Sequence, residues 1–244
     1  MTYLVAGASS GLGRALAEEL ARSGHALVLV SSDLRDTSAL AADLHLRYDV
    51  MAVPVALDLA EAAAPFSDID AALANLPPLA GILLPAGMTQ ADDEPGESAA
   101  TLARLTRVNY STLCQIVNCY LPQLRAAEFG LVVGFGSVAA ARGRGRNAAY
   151  AAAKRAIDSY FESLRHALAG SSVIAQFYVL GYLDTNLAFG QRTLLPRADP
   201  RRLAQIVLRR RRKDFGRAFY PKFWYPVCIL LRMLPWGLFR RLSL

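Results

Sequence analysis

Apolar residues fall in short solid runs, separated by longer stretches in which they return every three or four positions. Runs at 3–6, 26–30, 51–56, 80–84, 131–135 and 173–179 read as strands buried on both faces. Between them, helical spacing predicts helices at 12–23, 37–48, 67–75, 101–126 and 148–169. Strands that alternate with helices predict βαβ units, and so an α/β fold built on a doubly wound, mainly parallel sheet with helices on both faces. No internal repeat and no low-complexity linker divides the chain. One domain is expected, with a core at 1–196 and a C-terminal extension of the same domain at 197–244. The extension holds a helix at 201–212, with Leu203, Ile206 and Val207 on its apolar side, then a strand at 217–220 and an apolar segment.

Composition narrows the class. Hydrophobic residues make up 54% of the 244 and charged residues 19%, the opposite of the balance that keeps a chain disordered. The three cysteines, Cys114, Cys119 and Cys228, form no CxxC pair, which excludes a disulfide scaffold and a cysteine-rich zinc site; no metal is expected. The chain reads strand-like from Thr2 with no basic leader region or cleavage site, so a cytoplasmic protein is expected.

Charge is placed unevenly. Residues 1–196 carry 14 basic and 18 acidic side chains, whereas 197–244 carry 13 basic ones against Asp199 and Asp214. Five consecutive cations, Arg209 to Lys213, exceed what the end of a helix needs. The following segment, 221–241, is apolar and aromatic but too short to cross a bilayer, and Arg232 and two prolines interrupt it. It suits an interfacial helix on anionic lipid, reached through 209–244, or a segment packed over the active site or a neighbouring subunit. No nucleic-acid partner is expected, since the arginine run lacks interleaved stacking aromatics.

The first strand runs into Gly7-Ala8-Ser9-Ser10-Gly11-Leu12-Gly13. A glycine turn between strand and helix lets backbone N–H groups approach a pyrophosphate, with the helix dipole favouring the anion. The same residues also read G-x-S-x-G, the nucleophile elbow of a serine hydrolase, with Ser9 as nucleophile and His166 as its base. Against that reading, only six residues precede Gly7, too few for the upstream oxyanion loop. Ser137 follows the fifth strand, at the end of the sheet where ligands bind. Downstream, Tyr150 and Lys154 stand at i and i+4, on one side of a helix whose intervening residues are alanines. A phenol with a pKa of about 10 is a poor acid–base group at neutral pH, and a nearby ammonium favours its ionised form.

Taken together and in this order, these residues resemble the short-chain dehydrogenase/reductase family over about 2–190, which implies a Rossmann-type fold. The family's glycine motif matches Gly7, Gly11 and Gly13. Its adenine-side acid matches Asp58, followed by Leu59. Its catalytic Asn, Ser, Tyr and Lys match Asn109, Ser137, Tyr150 and Lys154, and its loop over the nicotinamide matches Gly181 to Thr185. Three positions depart from the family pattern: Ala6 before the first glycine, Leu84-Pro85-Ala86-Gly87 after the fourth strand, and Leu180 before Gly181.

The resemblance implies an NAD(P)-dependent oxidoreductase that passes hydride between a nicotinamide and a carbonyl or secondary alcohol. Tyr150 would be the general acid/base, Ser137 would hold the substrate oxygen, and Lys154 would bind the ribose and lower the Tyr150 pKa. Asn109 would hold a water linking Lys154 to solvent. The cofactor would touch Gly7, Ser9, Ser10, Gly11, Leu12, Gly13, Ser31, Ser32, Asp58, Leu59, Ala86, Gly87, Asn109, Tyr150, Lys154, Gly181, Leu183 and Thr185. The second strand ends in Ser31-Ser32 rather than a carboxylate, which favours NADP over NAD, with Arg14 and Arg35 as phosphate partners and Asp33 opposing. A homo-oligomer is expected, with the loop 188–198 covering the substrate. A non-catalytic, nucleotide-sensing scaffold on the same fold is the alternative.

Overall fold

The computed structural model describes residues 1–96, 98–185 and 196–242. Seven strands form one sheet: β1 (Thr2–Ala6), β2 (Ala26–Ser31), β3 (Ala52–Ala56), β4 (Leu79–Leu84), β5 (Gly130–Ser137), β6 (Val173–Leu180) and β7 (Arg217–Tyr220). Their order is β3-β2-β1-β4-β5-β6-β7 and every pair is parallel. The order reverses between β1 and β4, and a crevice opens there outside the carboxyl ends of the strands.

Both faces of the sheet are covered, so strand residues are buried whichever way they point. Leu4, Val28 and Ile82 face a layer with Ile69, Leu113, Ile116 and Phe161. Tyr3, Val5, Leu27 and Leu29 face the other, with Leu16, Leu20, Leu44 and Leu203. The helices are α1 (Gly11–Arg22), α2 (Leu34–Tyr48), α3 (Ser67–Ala74), α4 (Ala99–Thr106), α5 (Thr112–Ala126), α6 (Ala148–Ala167), α7 (Pro200–Arg210), α8 (Trp224–Met233) and α9 (Trp236–Phe239).

Three departures from the pattern-based expectation have local causes. The long helix expected at 101–126 is two helices joined by a π-helical turn, Arg107–Ser111. Apolar spacing hides this, because one widened turn leaves the buried side on the same face. Helix α2 begins three residues early, because the Asp33 carboxylate accepts from the Asp36 backbone N–H at 3.0 Å. Strand β5 runs on to Ser137, which is its last residue.

The basic extension is split. Arg209–Lys213 ends α7 at the edge where the strands begin. There the Gln176 side-chain amide donates to the carbonyls of Arg210 and Lys213, both at 2.8 Å. Arg210 lies 3.7 Å over the Phe215 ring and Arg212 4.7 Å over Phe129. Strand β7 then crosses the sheet, and α8 and α9 sit at the opposite edge. Residues 209–242 therefore present two separated surfaces rather than the one continuous surface expected.

Candidate active site

The glycine turn leaves β1 at Gly7, whose φ of +99° is the left-handed region that favours glycine. A Cβ at Gly7 would lie 2.7 Å from the Ala86 Cα, so the loops after β1 and β4 pass within contact. A Cβ at Gly13 would lie 1.8 Å from the Gly7 carbonyl oxygen, so only glycine lets α1 start so close to the turn. Ser10 is the N-cap of α1, but its side chain makes no capping bond. The first N–H groups of α1 are thus left facing the crevice without a side-chain acceptor, which is a cradle for an anion. Ser9 and Leu12 flank that cradle. Thr185, after β6, lies across it: its Cγ2 is 3.0 Å from where a Gly11 Cβ would be.

At the adenine end, Ser31 is buried and its hydroxyl accepts from the Asp33 N–H at 3.0 Å, while Ser32 is exposed. Asp33, read as opposing a 2′-phosphate, has its carboxylate committed to the start of α2. Arg14 and Arg35 are exposed on the same rim. Asp58 is exposed at the end of β3 and steadies its own loop by accepting from the Ala60 N–H at 2.8 Å. The Leu59 carbonyl accepts from the Thr112 hydroxyl at 2.8 Å.

Lys154 is 4% exposed. Its ammonium donates to the carbonyls of Phe135 at 3.1 Å and Ala86 at 3.3 Å, bridging the ends of β5 and β4. Burial pulls its pKa down to about 8. Asn109 is fully buried in the π-turn. Its side-chain amide donates to the carbonyls of Met88 at 2.9 Å and Leu105 at 3.0 Å, and its carbonyl accepts from the Met88 N–H at 3.1 Å. This clamp holds the Ala86–Gly87 loop and occupies a carbonyl freed by the widened turn. A Cβ at Gly87 would stand 3.5 Å from Asn109 Oδ1 and 3.6 Å from Lys154 Nζ, so loop, asparagine and lysine meet at one point.

Tyr150 is buried, with its phenol beside the Ser137 side chain. Ser137 also accepts from the Ala139 N–H at 3.1 Å. The Tyr150 pKa stands above its ordinary value because burial outweighs two opposing influences, the neighbouring Ser137 hydroxyl and the charge of Arg144. This corrects the expectation that Lys154 lowers it: the lysine head is turned to the two strand-end carbonyls instead.

Two residues that sequence reading missed complete the site. Asp93 is buried and caps α6 from 57 residues away, accepting from the N–H groups of Ala149 at 2.7 Å and Tyr150 at 2.9 Å. Arg144 is half-buried beside Tyr150, with its Nε buried and unpartnered. Asp93 has no sequence signal, because it acts across loops of irregular backbone, whereas Arg144 stands in the arginine- and glycine-rich loop 141–146 between Ser137 and Tyr150, which could meet an anionic substrate but reads more readily as a solvated loop. Leu183 and Thr185 lie in the loop after β6, pinned by the bridge Leu183↔Ala198. A Cβ at Gly181 would fall 1.9 Å from the Trp224 indole nitrogen, so the start of that loop packs directly against α8. Of the expected cover 188–198, residues 188–195 lie outside the described residues.

The hydrolase reading fails on geometry. All three histidines sit where the strands begin: His25 before β2, His45 in the last turn of α2 and His166 in the last turn of α6. His166 is about 24 Å along α6 from Tyr150, and Ser9 is at the opposite edge of the sheet from it.

An anion cradle at a topological switch point, beside a Ser–Tyr–Lys cluster, defines the class that the comparisons bear out. Residues 1–193 match the short chain dehydrogenase family, and the chain belongs to it; it is an oxidoreductase of that family. An uncharacterized oxidoreductase of Myxococcus xanthus is 33% identical over 189 residues, covering 76% of this chain and 73% of the relative. The hydroxysteroid 11-beta-dehydrogenase 1-like protein of Macaca fascicularis is 32% identical over 251 residues, covering 95% and 82%. Among solved structures, a short-chain dehydrogenase from Sphingobium yanoikuyae in complex with NADPH matches with a TM-score of 0.80 at 25% identity, covering 99% of this chain and 96% of that one.

Proposed function

We propose that this protein is an NAD(P)-dependent oxidoreductase that interconverts a carbonyl and a secondary alcohol, with Tyr150 as general acid/base. The observation that carries the reading is that Ser137, the last residue of β5, and Tyr150, on the first turn of α6, stand beside each other, one helical turn from the buried Lys154. The glycine cradle, the uncapped start of α1 and the cleft between Gly87 and Lys154 fit a dinucleotide along the strand ends. When bound, the nicotinamide supplies or accepts the hydride.

The chain's own groups do the rest. In the reducing direction Tyr150 donates its proton to the substrate oxygen. Ser137 donates a hydrogen bond to the same oxygen and stabilises the charge that develops there. Lys154 holds the ribose hydroxyls in exchange for one of its carbonyl bonds. Asn109 keeps the Ala86–Gly87 loop in place, and a water held beside it would link Lys154 to solvent. NADP is favoured over NAD: the end of β2 offers two hydroxyls, the Asp33 carboxylate is committed to α2, and Arg14 and Arg35 are exposed on the same rim, Arg35 in a solvent-exposed ion pair with Asp36 that a 2′-phosphate would have to replace. The structurally similar Sphingobium enzyme, in complex with NADPH, supports the same choice. A membrane-peripheral protein belongs to this reading too; what supports it is the exposed apolar side of α8 and α9.

The test is Tyr150→Phe, assayed against a panel of ketones with NADPH. Turnover falls by about a thousandfold, while the dissociation constant for NADPH, followed by its fluorescence, stays within about twofold of wild type. Normal turnover by the variant would refute the assignment. Loss of turnover in every assay of the wild type, with cofactor still bound, would favour the non-catalytic scaffold.

A further inference from the structure

Helix α8 has an inner and an outer side, and they differ in kind. Trp224 and Cys228 are buried inward, Trp224 against Gly181. The helix is fastened to the loop that follows Ser137. Arg142 donates to the Leu231 carbonyl at 2.8 Å and to that of Leu234, and its guanidinium lies 4.0 Å over the Phe239 ring. In return Arg232 donates through Nε to the Ala141 carbonyl at 3.1 Å.

The outer side is apolar and open. Leu230 is 64% exposed, Met233 75%, Trp236 66% and Leu238 56%. Single exposed apolar residues are ordinary on any surface, but a contiguous set on two consecutive helices is not. The charge around it has one sign. No acidic residue follows Asp214, whereas Lys222, Arg240 and Arg241 are exposed, and among the described residues none of these three is in a salt bridge. None of the helices described is long and apolar enough to cross a membrane.

Between the two sides lies a cavity of about 210 Å³ that begins at Ser137 and is walled by Val179, Phe219, Tyr225, Cys228 and Ile229. Its two cations are held by other groups, Arg217 by Asp158 at 2.6 Å and Arg232 by the Ala141 carbonyl, and its wall is polar and apolar in nearly equal parts, with Val179, Phe219 and Ile229 on the apolar side. Tyr225 and Ile229 line the cavity and are also exposed, which places its mouth at the apolar side of α8.

We propose that α8 and α9 dock on an anionic phospholipid surface, and that the cavity passes an apolar, membrane-partitioned carbonyl or alcohol from that surface to Ser137. This rests on the oxidoreductase reading and adds the source and class of its substrate. Exposed Trp and Leu would enter the headgroup boundary while the cations meet the lipid phosphates. The rim contacts through Arg142 and Arg232 would keep the docked helix in register with the catalytic loop.

The experiment uses the full chain and sedimentation with vesicles of phosphatidylcholine, with and without phosphatidylserine. Wild type binds the anionic vesicles roughly a hundredfold more tightly than the zwitterionic ones. The triple variant Leu230→Ser, Met233→Ser, Trp236→Ser loses more than about tenfold of that affinity, yet keeps NADPH affinity and its melting temperature. Calorimetric titration of a long-chain methyl ketone tests the cavity: wild type binds it, and Ile229→Arg binds it about tenfold less well. A wild type that binds NADPH but no anionic vesicle overturns the docking. A triple variant that only breaks a self-associated dimer, seen by its solution mass, assigns the face to a second copy of this chain and also overturns it. Equal ketone binding by Ile229→Arg removes the substrate route. NADPH affinity is read separately in each arm, so failure of the oxidoreductase reading is distinguished from failure of this one.

Discussion

Lys154 and Met233 depart from the usual rule of burial in opposite directions, a cation 4% exposed and an apolar chain 75% exposed. Around Lys154, buried polarity is matched group by group: two strand-end carbonyls take the ammonium, the Asn109 clamp holds the loop, and Asp93 caps the catalytic helix. Along α8 and α9 the mismatch is left standing, with Leu230, Met233 and Trp236 in water and Arg240 and Arg241 exposed just beyond them. Stability alone explains neither. An apolar residue in place of Lys154 would avoid desolvation, and polar residues in place of Met233 and Trp236 would avoid hydrating large side chains. Both exceptions border the same rim, and the proposed function would account for both.

Breaking the buried side of this comparison has the largest expected effect. Lys154→Met should cut kcat/KM by about a hundredfold or more, and it should also stabilise the protein at pH 7. The lysine titrates near 8 in the fold, below its ordinary 10.5. The folded state therefore holds that proton less tightly than the unfolded chain does. The penalty is complete below pH 8 and fades as pH rises toward 10.5. Allowing for the two carbonyls left unpaired, the gain is on the order of 2 kcal/mol at pH 7, and it shrinks by pH 10. Urea unfolding at both pH values checks this; a variant less stable than wild type at pH 7 would show that the bonds to Phe135 and Ala86 outweigh burial.

Asp93→Ala sharpens the same side more gently. Removing the cap leaves the first N–H groups of α6 unpaired and costs about 1–2 kcal/mol. Because Tyr150 sits on the first turn, kcat should drop about tenfold, with little change in the dissociation constant for NADPH. Asp93→Asn keeps an acceptor and should recover most of the kcat. Equal loss in both variants would mean that the negative charge, not the cap, is what matters.

The smallest effect expected is a shift in pH dependence. The Arg144 charge lowers the Tyr150 pKa, so Arg144→Gln raises it. The reducing reaction needs the protonated phenol, so its alkaline limb should move to higher pH. The oxidising reaction needs the phenolate, so activity near neutral pH should fall. Superimposable pH–rate profiles for wild type and variant would remove Arg144 from the site.

What was legible in the sequence was what local spacing can carry. The glycine turn, the alternation of elements and the Tyr150–Lys154 pair depend on neighbours within a few residues, and the structure has them where the pattern put them. The π-turn at Arg107–Ser111 was not legible, since adding one residue to a helical turn leaves its apolar stripe intact. Asp93 and Arg142 were not, because each acts on a partner more than fifty residues away. The arginine run read as a single basic surface with the tail. It is instead spent at the far edge of the sheet, on Phe129, Phe215 and the end of α7, and only topology could separate the two.

The central claim, that the glycine turn and the Lys154 cleft hold a reduced nicotinamide cofactor, is tested most directly by titrating the protein with NADPH and NADH and following the cofactor's fluorescence. Saturable binding is expected, tighter for NADPH. It should be abolished by Gly13→Val, whose side chain would occupy the space of the Gly7 carbonyl. Well-folded wild-type protein that binds neither cofactor, or binds both equally well with valine at that position, would contradict it.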